Sequence, residues 1–433
     1  MMATLPAIER LADADTKRLL QRAQGVPAVV HERVATIVAQ VRADGDAALR
    51  RLTAELDGCE LTDPWLSEAE WDDLAAQVPR DVQAAIDGNL ARIQAFHARQ
   101  VRREDTFEVA PGVLLGRRPI PLDAVGCYVP GGRASYPSTV LMTVTPATLA
   151  GVRRIVVVTP PRPDGSIDPA VAYAARAAGA HAVLRAGGAQ AVAALAYGTD
   201  QVPAVDGLVG PGNAYVTAAK ALVADRLRLD APAGPSELLV IADATADATA
   251  VALDLLAQAE HDPDAQVVLV ALGDDVAEAV RQEVERLLPD APRRDIMASS
   301  LRDHGAFLVA DDLEEALAFS NAYAPEHLEL VVADPRLALE GVTSAGSVFL
   351  GAWAPVSLGD YGSGTNHVLP TMGHARLRGG LLVDDFVKWM TWQEVTLDGL
   401  EAVADDVAGL ADAEGLHGHA AAVRERLGRR EVA

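Results

Sequence analysis

Four of the ten histidines in this 433-residue chain stand where an imidazole could do chemistry: His261 in QAEHDP, His327 in YAPEHLEL, His367 in GTNHVLP and His419 in EGLHGHA. A single histidine is more often structural or exposed, so its neighbours decide what it can do. Gln258 and His261 are three residues apart near the end of a helix expected over 246–261, which Asp262-Pro263 should stop. That spacing puts both on one helix face, where they could converge on one ion. It equally describes a polar last turn with an imidazole at the negative end of the helix dipole, and spacing alone favours the turn.

Glu326 and His327 come directly after Pro325. In irregular structure both can point into a cleft, giving a carboxylate and an imidazole as paired proton carriers. They fit equally well in a surface loop between the helix DDLEEALAFSNAY and the strand LELVV. Asp360 stands in the glycine-rich stretch LGDYGSGTNH, where backbone can approach a ligand closely, or where the chain simply turns. Glu414 and His419 are separated by about 140° on a regular helix, so one face cannot hold both, although they can meet at a helix start.

Three glycine clusters, YVPGG (128–132), AGGAQ (186–190) and VGPGNAY (209–215), come after strand-like segments. The last two open helices, whose free N–H groups can receive a phosphate. Each alone is an ordinary turn signal; together they suggest a ligand crevice at the ends of parallel strands. There is no G-x-G-x-x-G between strand and helix and no P-loop. Cys127 invites comparison with a thiol nucleophile for aldehyde oxidation, but nothing basic stands beside it to lower its pKa, which favours a buried structural thiol. Cys59 shows no sign of a chemical role.

The elements that must position these residues are legible in the apolar pattern. Residues 1–105 read as a helical region, with Val34, Ile37, Val38, Val41, Ala48 and Leu52 near a 3.6 period and a cap-like Ser67–Glu70 opening a second helical stretch. Residues 107–129 read as extended. From about 135 onward, short apolar runs alternate with helical stretches: IVVVT (155–159), AVLRA (182–186), LLVIAD (238–243), VVLVAL (267–272), FLVA (307–310) and SVFLG (347–351). Such runs predict parallel sheet covered on both faces, in an α/β fold with one unit over 106–235 and a second over 236–384. A polar helical tail, 385–433, is too thin to fold alone and needs something to pack on.

Composition narrows the function classes. Half of the residues are apolar, and 61 acidic against 37 basic residues leave a net charge of −24. That charge repels phosphate backbones and anionic lipid, so neither nucleic acid nor membrane is expected as a partner. No apolar run approaches the ~20 residues that span a bilayer. Two cysteines are too few for a disulfide framework and fit a reducing compartment; with no secretory signal visible, a soluble, cytoplasmic protein is expected.

Taken in order, VGCYVPGGRASYPSTVLM, GGAQAVAALAYGT, VGPGNAYVTAAK, DAPAGPSELLVIAD, LLAQAEHDP, NAYAPEHLEL, LGDYGSGTNHVLPT and EGLHGHA resemble the histidinol dehydrogenase family along nearly the whole chain. The resemblance implies two incomplete Rossmann-like domains and a homodimer in which the tail crosses to the partner. It implies a zinc ion on Gln258, His261 and Asp360 of one subunit and on His419 supplied in trans, with Glu414 also donated in trans. It implies Glu326 and His327 as the acid–base pair that oxidises histidinol through its aldehyde to histidine with two NAD, the last step of histidine biosynthesis. Ser236, Gln258, His261, His327, Asp360, Glu414 and His419 are implied as substrate contacts, and Tyr128, Gln190 and Asn213 as NAD contacts. Three other readings compete: a thiol-dependent aldehyde dehydrogenase using Cys127, a non-catalytic metal- or ligand-binding α/β protein, and a relative acting on another amino alcohol or sulfonate.

Overall fold

The computed structural model describes residues 5–21, 26–131, 135–232 and 234–428. Residues 132–134 of the YVPGGRAS motif and Ala233 of the APAGP break lie outside the described residues. The chain divides into two compact units, Met1–Gln100 with Leu122–Phe386, and Val101–Pro121 with Val387–Ala433.

Fourteen strands are found among the described residues. In chain order they are β1 (Ile8–Arg10), β2 (Asp105–Ala110), β3 (Val113–Pro121), β4 (Ala124–Tyr128), β5 (Arg154–Thr159), β6 (Ala182–Arg185) and β7 (Gly207–Val209). Next come β8 (Arg228–Leu229), β9 (Glu237–Ala242), β10 (Gln266–Ala271), β11 (Gly305–Val309), β12 (His327–Val331), β13 (Ser347–Leu350) and β14 (Val387–Val395).

The first unit holds two parallel sheets, ordered β6-β5-β4-β7-β8 and β1-β11-β10-β9-β12-β13. All six apolar runs picked out in the sequence are strands here. They are apolar without alternation because both faces are covered. In β4 and β5, Ala124, Tyr128, Val156 and Val158 face one core, while Val125, Cys127, Ile155 and Val157 face the other. Val34, Ile37, Val41, Leu49 and Leu52 of the N-terminal helices complete the first of these cores, and Trp71, Ile86, Leu90 and Ile93 the second.

Several local expectations are refined. The stretch 31–56 is two helices, Ala28–Asp44 and Asp46–Leu56, broken at Gly45, whose φ of +54° favours a residue without Cβ. Ser67 and Glu70 form the expected capping box, but Pro79 divides the helical stretch they open into Glu68–Ala76 and Arg80–Ala98. The N-terminal region is not helical throughout: Ile8–Arg10 is a strand, pairing β11 at the edge of the second sheet. Three residues carry no periodicity, and only that long-range pairing makes them a strand.

The second unit is a three-stranded antiparallel sheet, β14-β3-β2, with the helices Leu397–Ala413 and His417–Gly428. Residues 385–433 therefore do not open as a helix. Val387–Val395 pairs with β3 over nine residues, from Val387 with Pro121 to Val395 with Val113, so a mostly exposed segment is a strand held by a partner far upstream in the chain. The buried residues of the two helices are small, Gly399, Ala404, Ala408 and Ala420, while Phe107, Trp389, Met390 and Leu410 are exposed.

Candidate active site

Glu326 and His327 stand at the amino end of β12, and each is only 6% exposed. Both are fixed by Glu237, the first residue of neighbouring β9. The Glu237 backbone N–H donates to Glu326 Oε2 at 2.8 Å, and the Glu326 N–H donates back to Glu237 Oε2 at 3.3 Å. His327 Nδ1 lies 3.0 Å from the Glu237 carbonyl and 3.5 Å from Glu326 Oε2. Burial raises the Glu326 carboxyl well above the usual carboxylate range, with the charges of Glu237 and Asp360 adding to it. Burial also lowers the His327 imidazole, against the opposing pull of Asp360. A carboxylate with enough basicity and a neutral imidazole thus stand together, as acid–base work requires.

Asp360, in the short helix Val356–Tyr361, has Oδ1 3.3 Å from His367 Nδ1. Burial pushes this carboxyl up, but His367, His327 and His261 outweigh it and hold it below the usual range. His261 lies just past the helix Ala248–Ala259, its N–H bonded to the Gln258 carbonyl at 3.3 Å. Gln258 is 1% exposed, and its Nε2 has no hydrogen-bond partner. An orphaned amide in this position costs about 1–3 kcal/mol unless something meets it. Rotating the amide by half a turn presents Oε1 there instead, a donor suited to a cation. His261 and Asp360 line a cleft of about 380 Å³ together with Ile93, Tyr136 and Leu141. Among the described residues no three His, Cys, Asp or Glu side chains group to hold a metal ion. Ser236 sits half-buried ahead of β9. Glu414 and His419 belong to the second unit, where Glu414 caps the helix Leu397–Ala413 and His419 lies in the first turn of the next; both are exposed.

Tyr128, Gln190 and Asn213 line one larger cleft, of about 910 Å³. All three stand at carboxyl ends of the first sheet: Tyr128 ends β4, Gln190 comes after β6 and Asn213 after β7. The expected free N–H groups at the two helix starts are largely engaged within the protein. Gly188 N–H donates to the Tyr128 hydroxyl at 3.0 Å, and Gly187 N–H to Asp57 Oδ2 at 3.3 Å. Asn213 Oδ1 accepts from the N–H groups of Tyr215 and Val216 at 3.0 and 3.2 Å. Behind Asn213, buried Lys220 bonds the Gly210 carbonyl at 2.6 Å and Asp230 at 2.7 Å, fixing the loop.

Cys127 points into the core from the middle of the sheet, fully buried, and burial pushes its thiol up to about 12. No thiolate is available there for nucleophilic attack.

The model of the family described as histidinol dehydrogenase matches residues 20–427. The chain belongs to the histidinol dehydrogenase family. A histidinol dehydrogenase of Methanosarcina barkeri is 47% identical over 429 residues, 99% of each chain. One of Cereibacter sphaeroides is 50% identical over 398 residues, 92% of each chain. The crystal structure of histidinol dehydrogenase from Elizabethkingia anophelis matches with a TM-score of 0.94 at 39% identity, covering 100% of this chain and 99% of that one.

Some residues that build the candidate site do not stand out as chemistry in the sequence. Glu237 holds both members of the Glu326–His327 pair, and Asp57 closes one wall of the larger cleft. Glu329, in β12, shares a hydrogen bond with Asp254 on the helix that carries Gln258. The signal that could have found Glu237 and Glu329 is a lone carboxylate within an apolar strand, which is rarely buried without a purpose.

Proposed function

We propose that the chain is a zinc-dependent, NAD-linked enzyme that oxidises L-histidinol through L-histidinal to L-histidine, completing histidine biosynthesis as a cytoplasmic homodimer. The observation that carries this is the buried Glu326–His327 pair on Glu237, with Asp360 and His261 close enough to shift its protonation.

Gln258, His261 and Asp360, with His419 from a second copy, would hold the zinc. The orphaned Gln258 amide supports this set, and so does its N/O donor chemistry, which suits zinc and leaves positions for substrate. Zinc, when bound, supplies a Lewis-acid centre that orients an imidazole-bearing amino alcohol. The first unit offers three of the four donors, and the exposed apolar side chains of the second unit support docking on a second copy, which would bring His419 and Glu414 in trans. NAD would lie along Tyr128, Gln190 and Asn213, and it supplies the hydride acceptor in each oxidation. Gln190 supports this, being 1% exposed with an unpartnered Oε1 in the cleft wall. The five-stranded sheet has the order of a shortened Rossmann sheet, third-second-first-fourth-fifth by chain sequence, and the six-stranded sheet has the same order once its edge strand β1 is set aside, which supports reading each half as an incomplete version of that fold.

In the first oxidation His327 Nε2 takes the hydroxyl proton as the carbinol carbon gives up hydride, leaving the aldehyde. In the second, Glu326 takes a proton from water as its oxygen bonds to the aldehyde carbon. The hydrate then loses a second hydride and a proton to become the carboxylate. Overall, alcohol, water and two NAD⁺ become carboxylate, two NADH and three protons. Ser236, Gln258, His261, His327, Asp360, Glu414 and His419 would contact the substrate.

Turnover with histidinol and NAD, counting NADH per substrate before and after chelation, tests this. Two NADH per histidinol, lost on chelation and restored by zinc, is expected. No turnover with histidinol, or turnover untouched by complete metal removal, overturns it.

A further inference from the structure

Beside Gln190, placed along NAD above, the larger cleft holds a second acceptor, Asp57, that the proposed chemistry leaves unused. Asp57 caps the helix Asp46–Leu56 and reaches across to the helix Gly188–Tyr197. Its Oδ2 accepts from Gly187 N–H at 3.3 Å and from Gln190 Nε2 at 3.1 Å. That second bond fixes the Gln190 amide, so its Oε1 is turned the other way, buried and unpartnered. Gly188 keeps the space beside this oxygen open: a Cβ there would lie 2.7 Å from Oε1. A buried acceptor without a donor asks for one from whatever fills the cleft.

The charges around the cleft favour one kind of donor. Arg162 is tied to Asp168 at 2.6 Å, so the two largely cancel. Arg33 lies 5.7 Å from the ring centre of Tyr215. Asp57 thus stands beside Gln190 as an anion with only amide partners. Ser135 lines both this cleft and the one holding His261 and Asp360, so the reacting end of a dinucleotide belongs toward Ser135. The wall formed by Ile37, Leu56 and Asp57 is left for its adenosine half.

We infer that Asp57 and Gln190 form a seat for the adenosine-ribose 2′-hydroxyl, and that Asp57 excludes a 2′-phosphate, so that this wall selects NAD over NADP. The inference rests on the NAD-linked function proposed above. A hydroxyl can donate to either acceptor, whereas a phosphate monoester is mostly dianionic at neutral pH, seldom has a proton to give and meets a like charge.

The test uses the full-length enzyme with saturating histidinol, comparing kcat/KM for NAD and NADP in the wild type, Asp57→Asn and Asp57→Ser. The wild type should favour NAD by on the order of 100-fold. Either substitution should shrink the ratio by about 10-fold or more, through KM with kcat largely kept. A purely structural Asp57 would lower both efficiencies together, so a ratio within twofold of wild type in both variants overturns the seat. Should the variants fail to fold, wild-type binding of NAD lacking the 2′-hydroxyl decides: about tenfold weaker binding supports the seat, and unchanged binding overturns it. A wild type that oxidises histidinol with neither dinucleotide overturns the NAD-linked function and the seat with it.

Discussion

His327 Nδ1 sits 3.0 Å from the backbone carbonyl of Glu237, a group that can only accept a hydrogen bond. The ring proton is therefore on Nδ1, and the lone pair of the neutral ring is on Nε2. A main-chain carbonyl on an adjacent strand holds this tautomer, since His327 pairs with Leu238 in the ladder. For the base role proposed above, the imidazole would need no rearrangement before taking a proton.

Replacing His327 with Asn should lower kcat for histidinol oxidation by roughly 10²–10⁴-fold, the usual span for a lost general base. Bound zinc should be unchanged by elemental analysis. Because burial lowers the imidazole, the base stays neutral further into acid, and the acid limb of kcat/KM should fall below the ordinary histidine range near ~6.5. A limb at or above that value would remove His327 from the role.

Glu326→Gln keeps the shape and the N–H···O bond from Glu237 while removing the basic carboxylate. The first hydride transfer should persist and the second should fail, giving one NADH per histidinol and aldehyde-level product trapped by a hydrazine. Complete oxidation at the wild-type rate would exclude the assignment.

Glu329 is 2% exposed beside Asp254, and its carboxyl is pushed up to about 9, with burial the largest cause. The two carboxyl groups share a hydrogen bond, so one keeps its proton in the folded chain. An unfolded Glu ionises near ~4.3. The folded state therefore holds a proton that the unfolded state has lost throughout the window between those values. Stability from this group is present below the window and is lost as pH rises through it, by at most ~1.4 kcal/mol per pH unit. Glu329→Gln removes the titration, so melting curves should show the wild type losing ground to the variant from pH 5.5 to pH 8.5. Parallel pH profiles for the two proteins would exclude a shared proton.

Cys127→Ala should leave NADH formation within about twofold of wild type, because the thiol faces the core. The cost falls on packing, about 1–2 kcal/mol for the small cavity left behind, read as a lower denaturation midpoint. Loss of aldehyde oxidation alone would revive a thiol route.

Six strands of the parallel sheets, β5, β6, β9, β10, β11 and β13, were legible because burial on two faces leaves continuous apolar runs. β1 and β14 were not, since a three-residue edge and a polar ribbon become strands only through partners far away in the chain. The candidate site residues could be picked out by type but not by placement. Tyr128, Gln190 and Asn213 stand at strand carboxyl ends, as glycine clusters after strands suggest. Ser236, His261 and the Glu326–His327 pair gather instead at the amino ends of β9, β10 and β12. The helix after β9 runs back along the sheet, so its last turn delivers Gln258 and His261 to the edge where β9 and β12 begin. Glu237 and Glu329 are acids in apolar strands that the sequence reading passes over, and their partners, 89 residues away for Glu326 and 75 for Asp254, cannot be read from local spacing.

The second unit buries little beyond alanine and glycine along its helices and leaves Phe107, Trp389 and Leu410 bare. If such a surface rests on a sister molecule, each catalytic centre is owned jointly, and defects in different chains can rescue each other. Inactive His261→Asn homodimers mixed with inactive His419→Asn homodimers and allowed to exchange would form hybrids with one intact centre in two. About a quarter of wild-type activity would return from two dead parents.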